Sequence, residues 1–457
     1  MTAPRESSPS GVVDATLPAL DEALDPSRVA SLLQTAWSRR FGAPLAITHG
    51  EVTYVRYKPD TSLIAGYRFS TENASQPAVL GYGKLVPELR AREAFAKANA
   101  IAEKQSESQV LALDPLPFFF HLFPFDREIR GLRHLMNRDK LKRIARDSIS
   151  WGSPAVRVSG KRTSLSLLRY KPERRAVVAA DFGLVDETTG RESRQLAHLK
   201  AYANGAGESA TRVAGWLAGA PRSEHAPRFA RTLAYDSSTE ILFQERLPGC
   251  AFLEAGDIES AARRVGSALA WLHTAGTARE KGDAARERST VAIGLAEVRA
   301  TTAFLTRLGG GGVSERAAAL LERLDREVPA AAPLTMTHGD FHYHQILVDG
   351  ETISFVDFDE AGNGDPRVDI GNFIAHLRLL GVRNPETAEA WARVEVAFVE
   401  GYRRAAGASP LELDSTLPWF IALGLARLAV VPFRNLSTEW PRETGAILKA
   451  GVQCLAR

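Results

Sequence analysis

The run Thr337-His338-Gly339-Asp340-Phe341-His342-Tyr343-His344-Gln345-Ile346-Leu347-Val348 constrains this chain more than any other part of it. Phe355-Val356-Asp357-Phe358 follows, then Gly362-Asn363-Gly364-Asp365-Pro366 and Asp369. Two short apolar strands flank a polar loop. Between them they present a carboxylate (Asp340), an amide (Gln345) and a second carboxylate at a strand end (Asp357).

Phosphoryl transfer needs such a set. One aspartate orients the attacking hydroxyl, while an amide oxygen and another aspartate hold Mg²⁺ against the nucleotide phosphates. With His338-Gly339-Asp340, the amide at 345, Asp357, Gly364-Asp365-Pro366 and Asp369, the chain resembles the catalytic core of the aminoglycoside phosphotransferase and choline kinase superfamily. Those are small-molecule kinases built on the protein-kinase fold. The resemblance is firm over roughly residues 245–375 and weaker upstream. It departs from the commonest pattern at Gln345, where most members carry Asn; the maltokinase-like branch also carries Gln and is more similar there. The resemblance implies an α+β, protein-kinase-like bilobal fold with a β-rich N-lobe and a helical C-lobe. It also implies ATP and Mg²⁺ as cofactors. Asp340 is then the catalytic base, His338 packs in the C-lobe core, and Asp369 anchors the catalytic-loop backbone from its helix.

The bulk properties fit a globular chain. Of 457 residues, 45% are hydrophobic and 24% charged, and the net charge of +3 is interspersed, so nothing points to nucleic acid. The two cysteines, Cys250 and Cys454, lie far apart without metal-ligand spacing, which excludes a disulfide framework and favours a reducing, cytoplasmic setting. Residues 1–24 read as a disordered tail, since the first twenty are rich in Ser, Pro, Ala and Thr and lack the apolar core of a signal peptide. The apolar segment Leu417 to Pro432 is interrupted by Arg427 and reads as a buried helix, so no membrane partner is expected.

Upstream lies an internal repeat. Val55-Arg56-Tyr57-Lys58-Pro59-Asp60 recurs as Leu168-Arg169-Tyr170-Lys171-Pro172-Glu173, each followed by a strand-like segment. A lysine-bearing strand comes next, with Lys84 in the first copy and Lys200 in the second. Ala-rich helical segments (about 89–104 and 207–218) and then apolar strands follow. The order strand, strand, lysine strand, helix, strands, hinge is that of a kinase N-lobe. The expected organisation is a first, degenerate N-lobe-like module at 25–155, a working N-lobe at 156–250 and a helical C-lobe at 251–457. A helix should begin at Asp25-Pro26 and end at Gly42, the loop 277–294 should separate helices, and Gly309 to Gly312 should form a turn. Further helices are expected at 386–406 and 416–432.

Single residues then take roles. Lys200, on the module joined to the C-lobe, is the candidate phosphate lysine, with Glu208 as a helix partner. Lys84 is its counterpart in a copy without a C-lobe, where a structural role is favoured. Gln244 to Leu247 would be the hinge whose backbone meets adenine, through Glu245 and Leu247. Gln345 and Asp357 are the candidate Mg²⁺ ligands, and Asp359 a neighbouring support. His342 and His344 are read as lining the acceptor pocket. A zinc reading of His338, His342 and His344 is disfavoured, because a tetrahedral site needs further ligands.

The expected activity is ATP- and Mg²⁺-dependent transfer of a phosphoryl group to a hydroxyl of a small molecule such as a sugar, amino alcohol or aminoglycoside-like compound. The alternative is a pseudokinase or nucleotide-binding regulatory module. A protein kinase is disfavoured: the His-Arg-Asp and Asp-Phe-Gly forms are missing, and no activation segment separates Asp357 from Gly364-Asp365-Pro366.

Overall fold

The computed structural model describes residues 12–73, 77–104, 110–220, 222–277, 287–407 and 411–456. The chain forms two compact units. One comprises the residues up to Glu208 with Leu233–Glu245 and Phe433–Thr438; the other comprises Ser209–Thr232, Arg246–Pro432 and Glu439 onward.

The first unit holds two five-stranded sheets. In one the strands Ile47–Lys58, Ser62–Thr71, Ala78–Leu85, Phe118–Leu122 and Val110–Ala112 lie side by side in that order. In the other the order is Val156–Lys171, Arg175–Asp186, Glu192–Tyr202, Ile241–Glu245 and Thr232–Asp236. Both sheets therefore run first, second, third, fifth, fourth in chain order. In both, a helix follows the third strand, Glu88–Lys104 and Ala206–Ala218.

The turns that open the two sheets are built alike. In Lys58-Pro59-Asp60-Thr61 and Lys171-Pro172-Glu173-Arg174 the proline presets the second position, and the third residue takes a left-handed conformation, φ 58° at Asp60 and 57° at Glu173. Each turn closes with a 3.0 Å hydrogen bond from Thr61 N to Lys58 O or from Arg174 N to Lys171 O. A buried aspartate then clamps each turn from upstream. Asp14 Oδ2 accepts from Tyr57 Oη (2.7 Å) and Asp60 N (2.9 Å), and its Oδ1 from Thr16 N and Leu17 N. Asp126 Oδ2 accepts from Tyr170 Oη (2.7 Å) and Glu173 N (2.9 Å), and its Oδ1 from Glu128 N and Ile129 N. Burial pushes the Asp126 carboxyl up, and these donors oppose it.

Both clamps lead into short capped helices. Leu20–Leu24 and Pro26–Phe41 follow Asp14, with Asp25 capping Ser27 N and Arg28 N and Gly42 ending the second helix at φ 67°. Leu132–Leu135 and Arg138–Ser148 follow Asp126, with Asn137 capping Asp139 N and Lys140 N. Two sequence expectations change here. Residues 1–24 read as a tail, yet 12–24 are folded: Leu17, Leu20, Ala23 and Leu24 are buried, and Asp14 is tied to Tyr57. Residues 1–11 lie outside the described residues. The break between the modules, expected after residue 155, falls near Asp126. Leu132, Leu135, Leu141, Ala145 and Ile149 share one core with Val158, Ala176, Val178 and Phe182 of the second sheet.

The second unit is mainly helical. Ile258–Thr277 packs along Ala388–Ala406, and two glycines set how closely. A Cβ on Gly266 would sit 2.1 Å from Phe398 O, and one on Gly401 would sit 1.9 Å from Arg263 O. Pro366–Arg383 packs on Leu413–Leu428. The apolar stretch Leu413–Arg434 is long enough to span a bilayer by length and composition, but 83% of it is buried inside the protein. The four glycines 309–312 all take positive φ and join Val291–Leu308 to Val313–Arg326. The expected loop 277–294 contains a short strand, Glu287–Ser289, and the start of the next helix; residues 278–286 lie outside the described set.

The Asp126 clamp makes a stability prediction. Asp126→Ala leaves four donors without their acceptor, and each unpaired buried donor costs about 1–3 kcal/mol. Thermal unfolding should show a drop of several degrees in midpoint. Glu22→Ala, which removes only the exposed Arg28–Glu22 pair, should shift it little.

Candidate active site

The polar loop is placed by a hairpin and a helix of the second unit. The hairpin Ile346–Asp349/Thr352–Phe355 turns at Gly350 and pairs Ile346 with Phe355. Val356 N donates to Gln345 O at 3.0 Å. That register sets Gln345, just before the first strand, opposite Val356, the residue ahead of Asp357. Asp357 takes φ 66° and ψ 57°, a left-handed conformation that costs energy for any residue other than glycine. Strain held at a polar residue between apolar strands is characteristic of functional positions.

The helix Pro366–Arg383 fixes the other end of the loop. Asp365 caps it by accepting from Arg367 N, and its carboxylate also grips the Arg367 guanidinium at 2.7 and 3.0 Å. One turn on, Asp369 is wholly buried and aims at the loop backbone. Its Oδ2 accepts from His338 N at 2.6 Å and its Oδ1 from Gly339 N at 2.9 Å. His273 Nε2 lies 3.2 Å from Asp369 Oδ2, and His273 Nδ1 lies 2.9 Å from Tyr402 Oη. Gly339 has φ 83°, and a Cβ there would fall 2.2 Å from Glu360 O, so the position admits only glycine. His338 is buried and its Nε2 donates to Val356 O at 2.9 Å, linking the loop to the strand that leads to Asp357. Asn372 donates to Phe341 O at 3.0 Å.

Asp340, held by this frame, remains about half exposed, with its side chain at 49%. Burial alone would raise its carboxyl. The imidazoles of His342, His338 and His376 outweigh that and hold it well below the usual carboxylate range. His342 Nε2 lies 3.7 Å from Asp340 Oδ2 and 3.2 Å from Gln345 Nε2, and its ring stacks on His376 with centroids 4.4 Å apart. Burial first, then the neighbouring His342, pushes the His376 imidazole down, with Asp340 opposing.

Gln345 and Asp357 suit a hard divalent cation by donor type, since both offer oxygen.

The structure therefore brings Asp340, Gln345 and Asp357 together in the second unit. Leu247 is buried there too, at 6% exposure. Lys200 and Glu245 belong to the first unit. Lys200 is buried at 8% on its strand, in register with Val177 and Leu242, and Glu245 ends the neighbouring strand, half-buried. Sequence reasoning missed Asn372 and His376. The signal was there: 369, 372 and 376 are polar, spaced for one face of an otherwise apolar helix.

Residues 186–412 match the sequence profile of the phosphotransferase enzyme family, APH. No curated protein matches the chain. Among solved structures, an amicoumacin kinase complexed with AMP-PNP, Ca²⁺ and amicoumacin is similar at 15% identity and TM-score 0.48, over 69% of this chain and 94% of that one. A thermostable mutant of aminoglycoside phosphotransferase APH(4)-Ia is similar at 16% identity and TM-score 0.46, over 66% and 96%. Choline kinase from Cryptosporidium parvum is similar at 9% identity and TM-score 0.48, over 70% and 96%.

Asp369→Asn puts an amide N–H against a backbone donor where a carboxylate oxygen was. The variant should lose activity together with protection of the His338 and Gly339 amides in hydrogen exchange. Retained protection with retained activity would show that the clamp is dispensable.

Proposed function

We propose, on the premise that residues 186–412 make this chain a member of the phosphotransferase enzyme family, that it is a small-molecule kinase transferring the γ-phosphoryl group of ATP to a hydroxyl. The observation that carries this reading is the single frame that holds Asp340, Gln345 and Asp357 in one loop-and-hairpin unit through Asp369. Asp340 is ionised and accessible, as a group must be that accepts the acceptor hydroxyl's proton while the phosphoryl group departs. Gln345 and Asp357 would hold Mg²⁺, which when bound neutralises charge on the β- and γ-phosphate oxygens. Lys200 would meet the phosphates as a point charge, and the backbone around Glu245 and Leu247 would meet adenine.

The acceptor class we favour is a sugar, amino alcohol or aminoglycoside-like hydroxyl. Gln345, in place of the commoner Asn, supports placing the chain near the maltokinase-like branch. We also read the first sheet as a second copy of the N-lobe. The shared strand order, the matching Lys-Pro turns and the paired Asp14 and Asp126 clamps support that reading. Among the described residues neither cysteine is in a disulfide, and Cys250 is exposed, which supports a reducing, cytoplasmic location.

An ATP-consumption screen over sugars, amino alcohols and aminoglycosides with Mg²⁺ present tests this reading. Once an acceptor is found, Asp340→Asn should keep ATP binding and lower turnover by about 10²–10⁴-fold, the usual worth of general-base help. Near-normal turnover in that variant would remove Asp340 from its role. For the metal pair, Gln345→Asn should retain part of the activity. Gln345→Leu and Asp357→Ala should lose the Mg²⁺-dependent tightening of ATP binding. ATP bound equally well with and without Mg²⁺, and consumed with no acceptor, would instead identify a regulatory nucleotide-binding module.

A further inference from the structure

The lysine of the first sheet is not free to meet a nucleotide. Lys84 Nζ lies 2.7 Å from Glu173 Oε1, and Arg56 Nη2 lies 2.7 Å from Glu173 Oε2, so one carboxylate is shared by two cations. The pair is sheltered, with side-chain exposures of 8% for Glu173, 17% for Lys84 and 23% for Arg56. Glu173 belongs to the turn Lys171-Pro172-Glu173-Arg174 that opens the second sheet, and Asp126 holds its backbone N–H.

Register explains why the turn seats there. Arg56, Ile64, Lys84 and Phe119 form one cross-strand row of the first sheet; Tyr54, Gly66, Tyr82 and His121 form the next. Pro172 seats beside Gly66, its Cγ at ordinary contact distance, 3.7 Å, from where a Cβ would stand. Tyr82 and His121 are buried and stack with centroids 4.3 Å apart, and Tyr170 meets Tyr82 edge-on. The matching places on the second sheet are His198 and Gln244, both only half-buried beside Lys200. On the first sheet the lysine face is filled by rings and by the other sheet's turn.

We infer that Lys84, with Arg56, is a positioning residue: through Glu173 it holds the 171–174 turn of the working sheet in place for nucleotide. In kinase lobes the loop joining the first two strands covers the phosphates. The glycine-rich form of that loop adapts itself to the nucleotide. The Lys-Pro-Glu-Arg form here is held from outside, by Asp126 on its backbone and by Lys84 and Arg56 on its side chain. The first module thus acts on the nucleotide without touching it. The inference rests on the kinase reading above, and the test separates the two.

The test compares the parent with Lys84→Met, Lys84→Arg and Glu173→Gln in the full chain. Two readouts are used: amide exchange at 173–175 with 60–61 of the other turn as internal control, and MgATP affinity by titration calorimetry. Lys84→Met and Glu173→Gln should speed exchange at 173–175 and leave 60–61 unchanged. Both should weaken MgATP binding roughly five- to tenfold, a shift of about 1 kcal/mol. Lys84→Arg keeps the charge and should restore both readouts. Unchanged exchange in Lys84→Met overturns the inference. So does tighter MgATP binding in Glu173→Gln, because that is the result expected if Lys84, released from its partner, were itself a phosphate ligand. A parent that binds no MgATP overturns the proposed function instead, and the exchange result still decides whether Lys84 holds the turn.

Discussion

The site depends on one buried carboxylate. Asp369 offers both oxygens to consecutive backbone amides, His338 N and Gly339 N, immediately ahead of Asp340. A buried carboxylate is tolerated only when its lone pairs are satisfied. The two loop amides and His273 do that, so the loop cannot move away without leaving the charge unpaired. The same logic runs outward. Asp365 and Arg367 neutralise one another at the start of the helix, and the Arg367 guanidinium lies over the Phe420 ring. Helix position, loop position and the Asp340 carboxylate are one coupled arrangement.

A similar device is used twice in the first unit. Asp14 and Asp126 each collect a tyrosine hydroxyl, a turn N–H and two N–H groups of their own segment. In both cases one short polar side chain fixes the turn. The two sheets differ at their lysines. Lys84 is tied to Glu173 under buried rings, while Lys200 stands beside half-buried His198 and Gln244.

Around Asp340 the electrostatics follow from crowding by histidines. Three imidazoles close to one carboxylate keep it anionic despite partial burial. His342 mediates between the two chemical halves of the loop, since one ring nitrogen lies within reach of both Asp340 and the Gln345 amide.

Much of this was legible in the sequence because it is local. The His338-Gly339-Asp340 block, Gln345, Asp357 and the Gly364-Asp365-Pro366 turn lie within thirty-odd residues, and their spacing alone implies two strand ends, a cap and a helix. Arg-Tyr-Lys-Pro recurs at the two Lys-Pro turns, and Asp25 and Gly42 bound their helix as their types require. Tertiary structure decided what distance in sequence conceals. Asp14 and Asp126 carry no local motif and become clamps only because the fold brings residues 43 to 47 positions away against them. For the same reason residues 12–24 read as a tail and 126–150 were assigned to the wrong sheet: their apolar positions find partners only when the chain returns to pack on them. The fate of Lys84 is the clearest case. Its strand looks like that of Lys200, and only the approach of Glu173, 89 residues on, ties Lys84 to a carboxylate.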